Sequence, residues 1–214
     1  MLYEKASGQK LNREKTSVFF SKATLAVRKI EIINELGVSE VREYEKYLGL
    51  LVVVGRNKKA SHNFIKERVW NKLQGWKENL LSQAGREVLL KAVVQAIPTF
   101  AMGCFKLPSG LLNDIEMMIR KFWWDQRGDQ RKIHWKNWET MCKPKALGGM
   151  GFKDLEKFNE AMLAKQVWRL LVDQSSLFYR VFSVKYFPNG SVFDAKVASG
   201  SFAWKSIVKA SKLV

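Results

Sequence analysis

The chain has 214 residues, 47% of them apolar, with 37 Lys and Arg against 20 Asp and Glu and a formal net charge of +17. This length and apolar content exclude a disordered chain, and the charge favours a polyanionic partner, most often nucleic acid, over a basic protein with no such partner. Two cysteines exclude a disulfide framework, the start has no signal-peptide run, and no apolar run is long enough to span a membrane, so we expect an intracellular protein of nucleus or cytoplasm, not secreted and without a membrane partner.

The first fifty-odd residues predict a small α+β piece. Val18 to Phe20 is short and β-prone, and the apolar run from Tyr47 to Gly55 is predicted as a second, buried or half-buried strand. Between them, apolar residues at steps of three from Val27 to Leu36 predict a helix, and Gly37 is placed to end it. Two strands cannot bury both faces of a sheet, so we expect this piece to be the end of something larger.

Helices are predicted to dominate from Gly55 onward. Ser61 and Ser82 are candidate N-terminal caps, and Pro98 is expected to stop the second helix. Three segments carry apolar stripes at helical spacing: Ile65, Val69 and Leu73; Leu89, Val93, Ala96 and Ile97; Leu112, Ile115, Ile119 and Phe122. After a Gly-rich turn, a further helix is predicted with Ala161, Ala164, Trp168 and Leu171 on its stripe, followed by a short aromatic helix that Pro188 closes and a last one from Phe202.

No constellation of catalytic residues is visible. His62 and His134 lack a neighbouring nucleophile motif, so surface or packing roles are the simpler interpretation. A zinc site from Cys104, His134 and Cys142 lacks the closely spaced ligand pair that such sites use. The "GGMGF" stretch has the glycines of a phosphate loop but not its Lys-Ser/Thr ending. We therefore expect no active site and no metal ligands in this chain.

The stretch "IRKFWWDQRGDQRKIHWKNW" holds four tryptophans among basic residues. Phe122 continues the preceding apolar stripe, so Phe122 and Trp123 are predicted to be core. For Trp124, Trp135 and Trp138, burial and base stacking on an exposed ring both remain open, with burial the commoner outcome for such a ring.

A collinear set of segments carries a family resemblance that covers nearly the whole chain: "ASGQKLNREKTSVFFS", "YLGL", "LQGWKENLLSQAGREVLLKAVVQAIPTFAM", "FWW", "KIHWKNWETMCKPKALGGMGFKDLEKFNEAMLAKQVWRL" and "YFP". In this order they closely resemble the downstream half of plant LINE-type (non-LTR) retrotransposon reverse transcriptases. The resemblance implies an RNA-directed DNA polymerase family whose catalytic aspartates lie upstream, partly in a Tyr/Phe-Ala-Asp-Asp box that this chain does not contain.

The resemblance implies roles for two motifs of the first fifty-odd residues. In "LNREKT", Lys15 matches a palm lysine that helps to protonate the pyrophosphate leaving group, a task suited to a cation beside departing phosphate. The segment Tyr47, Leu48, Gly49 and Leu50 resembles the primer grip, which holds the primer end. The family continues with Pro where this chain has Leu51, so the local turn departs from the family pattern.

The resemblance also implies a domain order and a fold class. Residues 1–55 would be the remnant of the palm, 56–125 a helical thumb-like region, and 126–214 a helical connection region leading towards a C-terminal domain. The expected class is mainly α, with a small β-hairpin or α+β piece at the N-terminus and a helical thumb-like bundle. A thumb lies along the primer–template minor groove and contacts phosphates, which positions nucleic acid without reading sequence.

Basic residues of the thumb-like and connection regions are therefore the expected phosphate contacts: Lys66, Arg68, Lys72, Lys77, Arg86, Lys91, Lys132 and Lys136. The expected partner is RNA, DNA or an RNA–DNA hybrid without sequence preference, and the chain alone should not polymerise. No cofactor is expected in this chain, whereas the intact family enzyme would use Mg²⁺. A relic or domesticated helical module that binds nucleic acid or protein is the alternative, and a poorly folding decayed product is a weaker one.

Overall fold

The computed structural model describes residues 2–10, 12–14, 16–21, 23–40, 50, 57–77, 81–124, 133–188, 190–195 and 200–214. It divides the chain into two compact units, Met1–Val53 and Val54–Val214. The described elements of the first unit are α1 (Leu2–Ser7), β1 (Ser17–Val18), α2 (Ala26–Leu36) and β2 (Ser39–Glu40). Those of the second are α3 (Lys58–Ser61), α4 (Asn63–Lys77), α5 (Gln83–Ala92), α6 (Thr99–Met102), α7 (Ser109–Trp124), α8 (Trp138–Cys142), α9 (Leu155–Val172), α10 (Leu177–Tyr186) and α11 (Phe202–Ala210), with single 3-10 turns at Val94–Ala96, Lys145–Leu147, Val192–Asp194 and Ser211–Leu213. The predicted class, mainly α with a small β piece near the N-terminus, is confirmed.

The two described strands of the first unit pair in parallel, with Ser17 opposite Ser39. Parallel strands need a crossover connection, and α2 provides it. The predicted strand from Tyr47 to Gly55 lies outside the described residues except for Leu50, which forms an isolated β-bridge. The β piece near the N-terminus is therefore present, and the structure describes it as a parallel pair joined by a helix, which is an α+β arrangement.

Gly37 ends α2 in the way the sequence predicts. Its φ of 64° is in the left-handed region, which glycine adopts without steric cost, and its N–H donates to the Ile33 carbonyl at 2.8 Å. The strand β2 follows directly, and its Glu40 accepts from Lys29 of α2 at 3.2 Å. The sequence did not predict β2, because its residues are polar and exposed and so carry no alternation of apolar side chains.

Helices α4 and α7 of the second unit pack against each other. The predicted stripe of α4 is buried at Ile65, Val69 and Leu73, and that of α7 is buried from Leu112 to Phe122. Each fully buried aliphatic side chain contributes about 1.5–3 kcal/mol to folding, so these stripes dominate the stability of the pair. Both helices are confirmed, and the spacing of their apolar residues fixes which side of each faces the core. None of the described helices has the length and apolarity needed to cross a membrane.

The helix α5 begins as predicted and ends earlier. The Ser82 hydroxyl accepts from the Gly85 N–H at 3.2 Å and caps the first turn. The helix stops at Ala92, the backbone tightens into a 3-10 turn, and α6 begins at Thr99, directly after Pro98. Proline lacks an N–H and is tolerated at a helix start, so Pro98 separates the two helices rather than closing the first one.

The predicted stripe of α9 is wrong. The buried face carries Leu163, Val167 and Leu170, whereas Trp168 is exposed. The two faces differ by one residue, which is about 100° around the helix. The aliphatic face, which packs chiefly against α11, removes more apolar area from water than the face with two alanines could, and this sets the rotation of the helix.

Asn159 joins α9 to the turn that follows α6. Its side chain is fully buried and accepts from the Leu107 N–H at 2.8 Å, while its amide donates to the carbonyls of Met102 and Phe105 at 2.9 Å each. The turn after α6 leaves these backbone groups without helical partners, so the amide replaces water for all three. One polar side chain therefore holds the N-terminal part of α9 against α6.

Glu116 holds the first residue of α9. Its carboxylate, buried on α7, accepts from the Leu155 N–H at 2.8 Å, and the Asp154 side chain caps the same helix by accepting from the Lys157 N–H at 3.0 Å. Burial raises the pKa of Glu116 above its usual value, against the effect of the Leu155 N–H, which lowers it. The start of α9 is thus tied to α7 through a helix N-terminus and an acidic group, a favourable pairing of dipole and charge.

An aromatic cluster closes the second unit at its C-terminal end. Trp204 of α11 is fully buried and stacks on Tyr186 of α10, with ring centroids 4.5 Å apart and an interplanar angle of 5°. Phe182 and Phe187 also contact the Trp204 ring. A Cβ at Gly200 would overlap that ring, so the residue before the α11 cap must be small. The short aromatic helix predicted up to Pro188 is confirmed as α10.

Candidate nucleic-acid interface

Arg68 and Lys72 lie one turn apart on α4, and both side chains are exposed. They project away from the buried stripe that Val69 and Leu73 form against α7. No hydrogen bond or ion pair occupies either side chain among the described residues. The two exposed cations lie about 40° apart around the helix, and their role as phosphate contacts stays a prediction.

Lys66, also on α4, is engaged within the protein. Its Nζ lies 3.1 Å from the Asp114 carboxylate of α7, which also receives Lys59 at 3.0 Å. The hydrogen bonds from Lys59 and Lys66 hold the pKa of Asp114 below its usual value. The three side chains keep a surplus of one positive charge, but Lys66 must share its donors with Asp114 before it can contact a phosphate.

Lys91 is engaged in the same way on α5. Its Nζ lies 2.7 Å from the Glu87 carboxylate, which also receives Lys145 at 2.7 Å, and it donates to the Met150 carbonyl. Hydrogen bonds from Lys145 and Lys91 hold the pKa of Glu87 below its usual value. Arg86, which precedes Glu87, is half-buried, and its Nη1 is buried without an acceptor in the described part of the chain.

Two lysines donate hydrogen bonds to the carbonyls of the Gly-rich turn from Gly148 to Gly151. Lys136 donates to the Gly148 carbonyl at 2.8 Å, and Lys91 to the carbonyl of Met150. Each backbone N–H of the turn is already donated to a carbonyl of residues 141–145. A phosphate cradle needs free N–H groups, so the turn cannot serve as one, and Lys136 has a structural partner.

The core prediction for the tryptophan-rich stretch is confirmed. Phe122 and Trp123 are both buried, and the Trp123 ring meets Phe152 edge-on with centroids 5.6 Å apart. Trp138 is half-buried, and its ring stacks on the same Phe152 with centroids 5.7 Å apart. These three indole and phenyl rings form one packed group, so Trp138 belongs with the core rather than with a binding surface.

Trp135 is the exposed ring of this stretch, with 77% of its surface accessible to solvent. His134, beside it, is exposed and stacks on the half-buried Trp124 at 6.0 Å with an interplanar angle of 22°. Lys136 follows directly. An exposed indole beside a lysine can stack on an unpaired base, an interaction that contributes about 1–3 kcal/mol for each base. The structure therefore separates these three tryptophans into two half-buried rings, Trp124 and Trp138, and one exposed ring, Trp135.

Several predicted residues cannot be placed. Lys15, Tyr47, Leu48, Gly49 and Lys132 lie outside the described residues. Lys77 belongs to the last turn of α4, but its side chain is not among those described. Leu50 is half-buried in its isolated bridge. The primer-grip and leaving-group roles therefore stay predictions.

The titratable groups of the described part do not assemble a catalytic site. His62 is 1% exposed, with Nδ1 2.8 Å from the Lys58 carbonyl and its ring edge-on to Phe105, so it is a packing residue. Burial raises the pKa of the Cys142 thiol to about 12, and burial also raises that of Cys104, which disfavours the nucleophilic thiolate. Among the described residues, no three His, Cys, Asp or Glu side chains could hold a metal ion.

Comparison with known proteins places the chain among plant relatives. It is 35% identical over 160 residues, 73% of its length, to an Arabidopsis thaliana protein named "Putative ribonuclease H protein", and it spans about a quarter of that relative, 26%. It is 38% identical over 121 residues, 56% of its length, to an uncharacterized mitochondrial protein of Arabidopsis thaliana, of which the match covers 79%. No family model matches the chain. At this identity and coverage, the chain belongs to the same family as the uncharacterized mitochondrial protein.

Proposed function

We propose that the chain is a non-LTR retrotransposon reverse transcriptase segment from the end of the palm through the thumb and the connection region. Its function is to bind primer–template nucleic acid, and it does not catalyse polymerisation. The observation that carries the proposal is the 35% identity over 160 residues to a relative whose name refers to a ribonuclease H protein. Ribonuclease H acts on nucleic acid, and the collinear motifs of the chain resemble those of non-LTR retrotransposon reverse transcriptases.

The exposed cations of α4 support a binding role. Arg68 and Lys72 would contact phosphates of a duplex, which gives affinity without sequence preference and a strong dependence on salt. Lys66 and Lys91 are ion-paired, so they would not contact phosphates directly. The net positive charge of their clusters would still attract nucleic acid at longer range. Lys77, Arg86, Lys132 and Lys136 complete the set that we propose on the basis of the resemblance.

Trp135 supports a second contact of a different kind. Its exposed ring would stack on a base of a single-stranded template end, since stacking needs a free aromatic face and tolerates every base. The same proposal assigns Lys15 and the segment from Tyr47 to Leu50 to the palm end of an intact enzyme in the nucleus or cytoplasm. There, Mg²⁺ held by aspartates of the upstream palm would neutralise the triphosphate.

The experiment titrates the chain with a fluorescent RNA–DNA hybrid of about two helical turns, carrying a single-stranded template overhang, at several salt concentrations. In the double variant Arg68→Gln/Lys72→Gln, the slope of log K against log salt should fall by about one for each cation. The matched control Lys209→Gln/Lys212→Gln removes the same charge from α11 and the turn after it, and should leave the slope within about 0.5 of the wild type. Equal slopes in the wild type and in both variants would contradict the assignment of α4.

A second titration tests the stacking contact. Trp135→Ala should weaken binding of the overhang by about 1–3 kcal/mol and leave a blunt hybrid unaffected. Trp168→Ala removes an indole that is also exposed, from α9, and is expected to change neither. With dNTPs, Mg²⁺ and a primed template, we expect no extension, and clear extension would contradict the proposal that the chain only binds.

One observation favours a second candidate, a relic or domesticated interaction module. The match covers 79% of the uncharacterized mitochondrial protein, so the greater part of that relative consists of the region that this chain shares with it. A module of this kind would bind a partner without any contribution from a polymerase. Failure to bind the hybrid at low salt, together with cooperative unfolding, would favour it over the first candidate.

A further inference from the structure

The outward face of α10 is an exposed apolar stripe. Leu177, Val181 and Val184 follow one another at i, i+4 and i+7, which places them within 60° around the helix. They are 73%, 55% and 77% exposed. Three aliphatic side chains in one row form a contiguous patch, unlike single apolar residues scattered over a surface.

The opposite face of α10 is apolar as well. Phe178, Phe182 and Tyr186 pack along it, and the last two contact the buried ring of Trp204. A helix that is apolar on both faces is typical of an element that is buried on both. The inner face packs against Trp204 of α11 and against α9. The outer face is therefore the one that lacks a cover among the described residues.

The charges beside the stripe define the chemistry of that cover. Arg180 and Lys185 flank the apolar row on either side, both exposed, and α10 contains no Asp or Glu. A third cation, Arg169 of α9, lies over the Phe178 ring at 5.3 Å. A complementary surface therefore carries carboxylates at its rim. A second copy of α10 would bring cations against cations, which disfavours self-association.

We propose that the outer face of α10 docks an acidic amphipathic helix of a partner protein. The apolar stripe of the partner helix packs on Leu177, Val181 and Val184, and its acidic residues pair with Arg180 and Lys185. Anchors at i, i+4 and i+7 are the pattern by which one helix recognises another. Nucleic acid fits this face poorly, because the centre of the patch is aliphatic and offers neither a phosphate contact nor a stacking ring.

The test titrates the whole chain with a labelled helical peptide of about 14 residues, four turns, which carries a leucine stripe flanked by glutamates. The comparison peptide has lysine at each glutamate position. We expect the acidic peptide to bind at least about ten-fold more tightly than the basic one, and Val184→Glu to weaken it by a similar factor, because the variant buries an unpaired charge of the same sign as the partner. Val88→Glu is the matched control, since Val88 is also an exposed valine, 63%, on helix α5, and should leave binding unchanged.

Each other outcome overturns the proposal. Equal binding of both peptides, or equal loss in Val88→Glu, shows non-specific association. Concentration-dependent dimerisation in sedimentation that Val184→Glu abolishes assigns the face to a second copy. Binding to phosphatidylserine–phosphatidylcholine vesicles that the same variant abolishes, without peptide binding, assigns it to a membrane surface. The hybrid titration is independent of these results, because Val184→Glu leaves Arg68, Lys72 and Trp135 in place.

Discussion

Replacing Asn159 with leucine tests whether one buried amide holds α9 to the turn after α6. The wild-type side chain makes three hydrogen bonds of 2.8–2.9 Å, all to backbone groups. Leucine has a similar volume, but it leaves the Leu107 N–H and the carbonyls of Met102 and Phe105 without partners in an interior that excludes water. At about 1 kcal/mol for each hydrogen bond, and more where a group stays unsatisfied, the free energy of unfolding should fall by about 3–5 kcal/mol.

Urea denaturation followed by circular dichroism measures this loss. Asn159→Asp keeps the acceptor for Leu107 but sets an oxygen against two carbonyls, so we expect it to destabilise as well, and more strongly as the pH rises and the carboxyl ionises. Asn113→Leu, on the exposed side of α7, is the matched control and should stay within about 0.5 kcal/mol of the wild type. A loss below about 1 kcal/mol in Asn159→Leu would show that the three bonds do not determine the docking of α9.

Two further predictions concern a turn and a buried carboxyl. Gly149→Ala should lower the melting temperature, because the new Cβ would overlap the Lys143 carbonyl. The Cβ of Gly75→Ala in α4 meets open space, so this variant should raise the free energy of unfolding by about 1 kcal/mol. Equal effects of the two variants would refute the steric argument. Because burial raises the folded-state pKa of Glu116, the native state retains its proton longer than the unfolded state, so its contribution is fully present below pH 4.5 and is lost as the pH rises through the folded-state pKa. Glu116→Gln keeps an acceptor for the Leu155 N–H and has no carboxyl to ionise, so its stability should not fall with pH in this way. If the melting temperatures of the variant and the wild type changed equally from pH 4 to 7, the prediction would be contradicted.

The helices that carry a regular stripe could be predicted from the sequence. The buried positions of α4 and α7 follow directly from the spacing of Ile65, Val69 and Leu73 and of the residues from Leu112 to Phe122. In α9 the same reasoning chose the wrong face, because Trp168 weighed more heavily than the aliphatic row one residue away. Periodicity shows that a helix has an apolar face, but which of two adjacent faces is buried depends on the helices that pack against it.

The partners of the basic residues could not be predicted. Lys66 pairs with Asp114 and Lys91 donates to Met150, groups 48 and 59 residues away, and no local pattern records such a contact. From the sequence, cations that form ion pairs within the protein could not be distinguished from exposed ones such as Arg68 and Lys72. The exposure of Trp135 was open for the same reason, since a tryptophan beside lysines is compatible with either environment.

The stacked pair of Tyr186 and Trp204 offers an optical signal for the docking of α10 on α11. Two aromatic rings that are held nearly parallel at 4.5 Å in a fixed contact contribute to the circular dichroism spectrum in the near ultraviolet. Loss of this packing removes that contribution while the far-ultraviolet signal of the helices persists. The C-terminal end of the second unit can therefore be followed through its loosening by a wavelength distinct from that of the helices, in the unaltered chain and without a label.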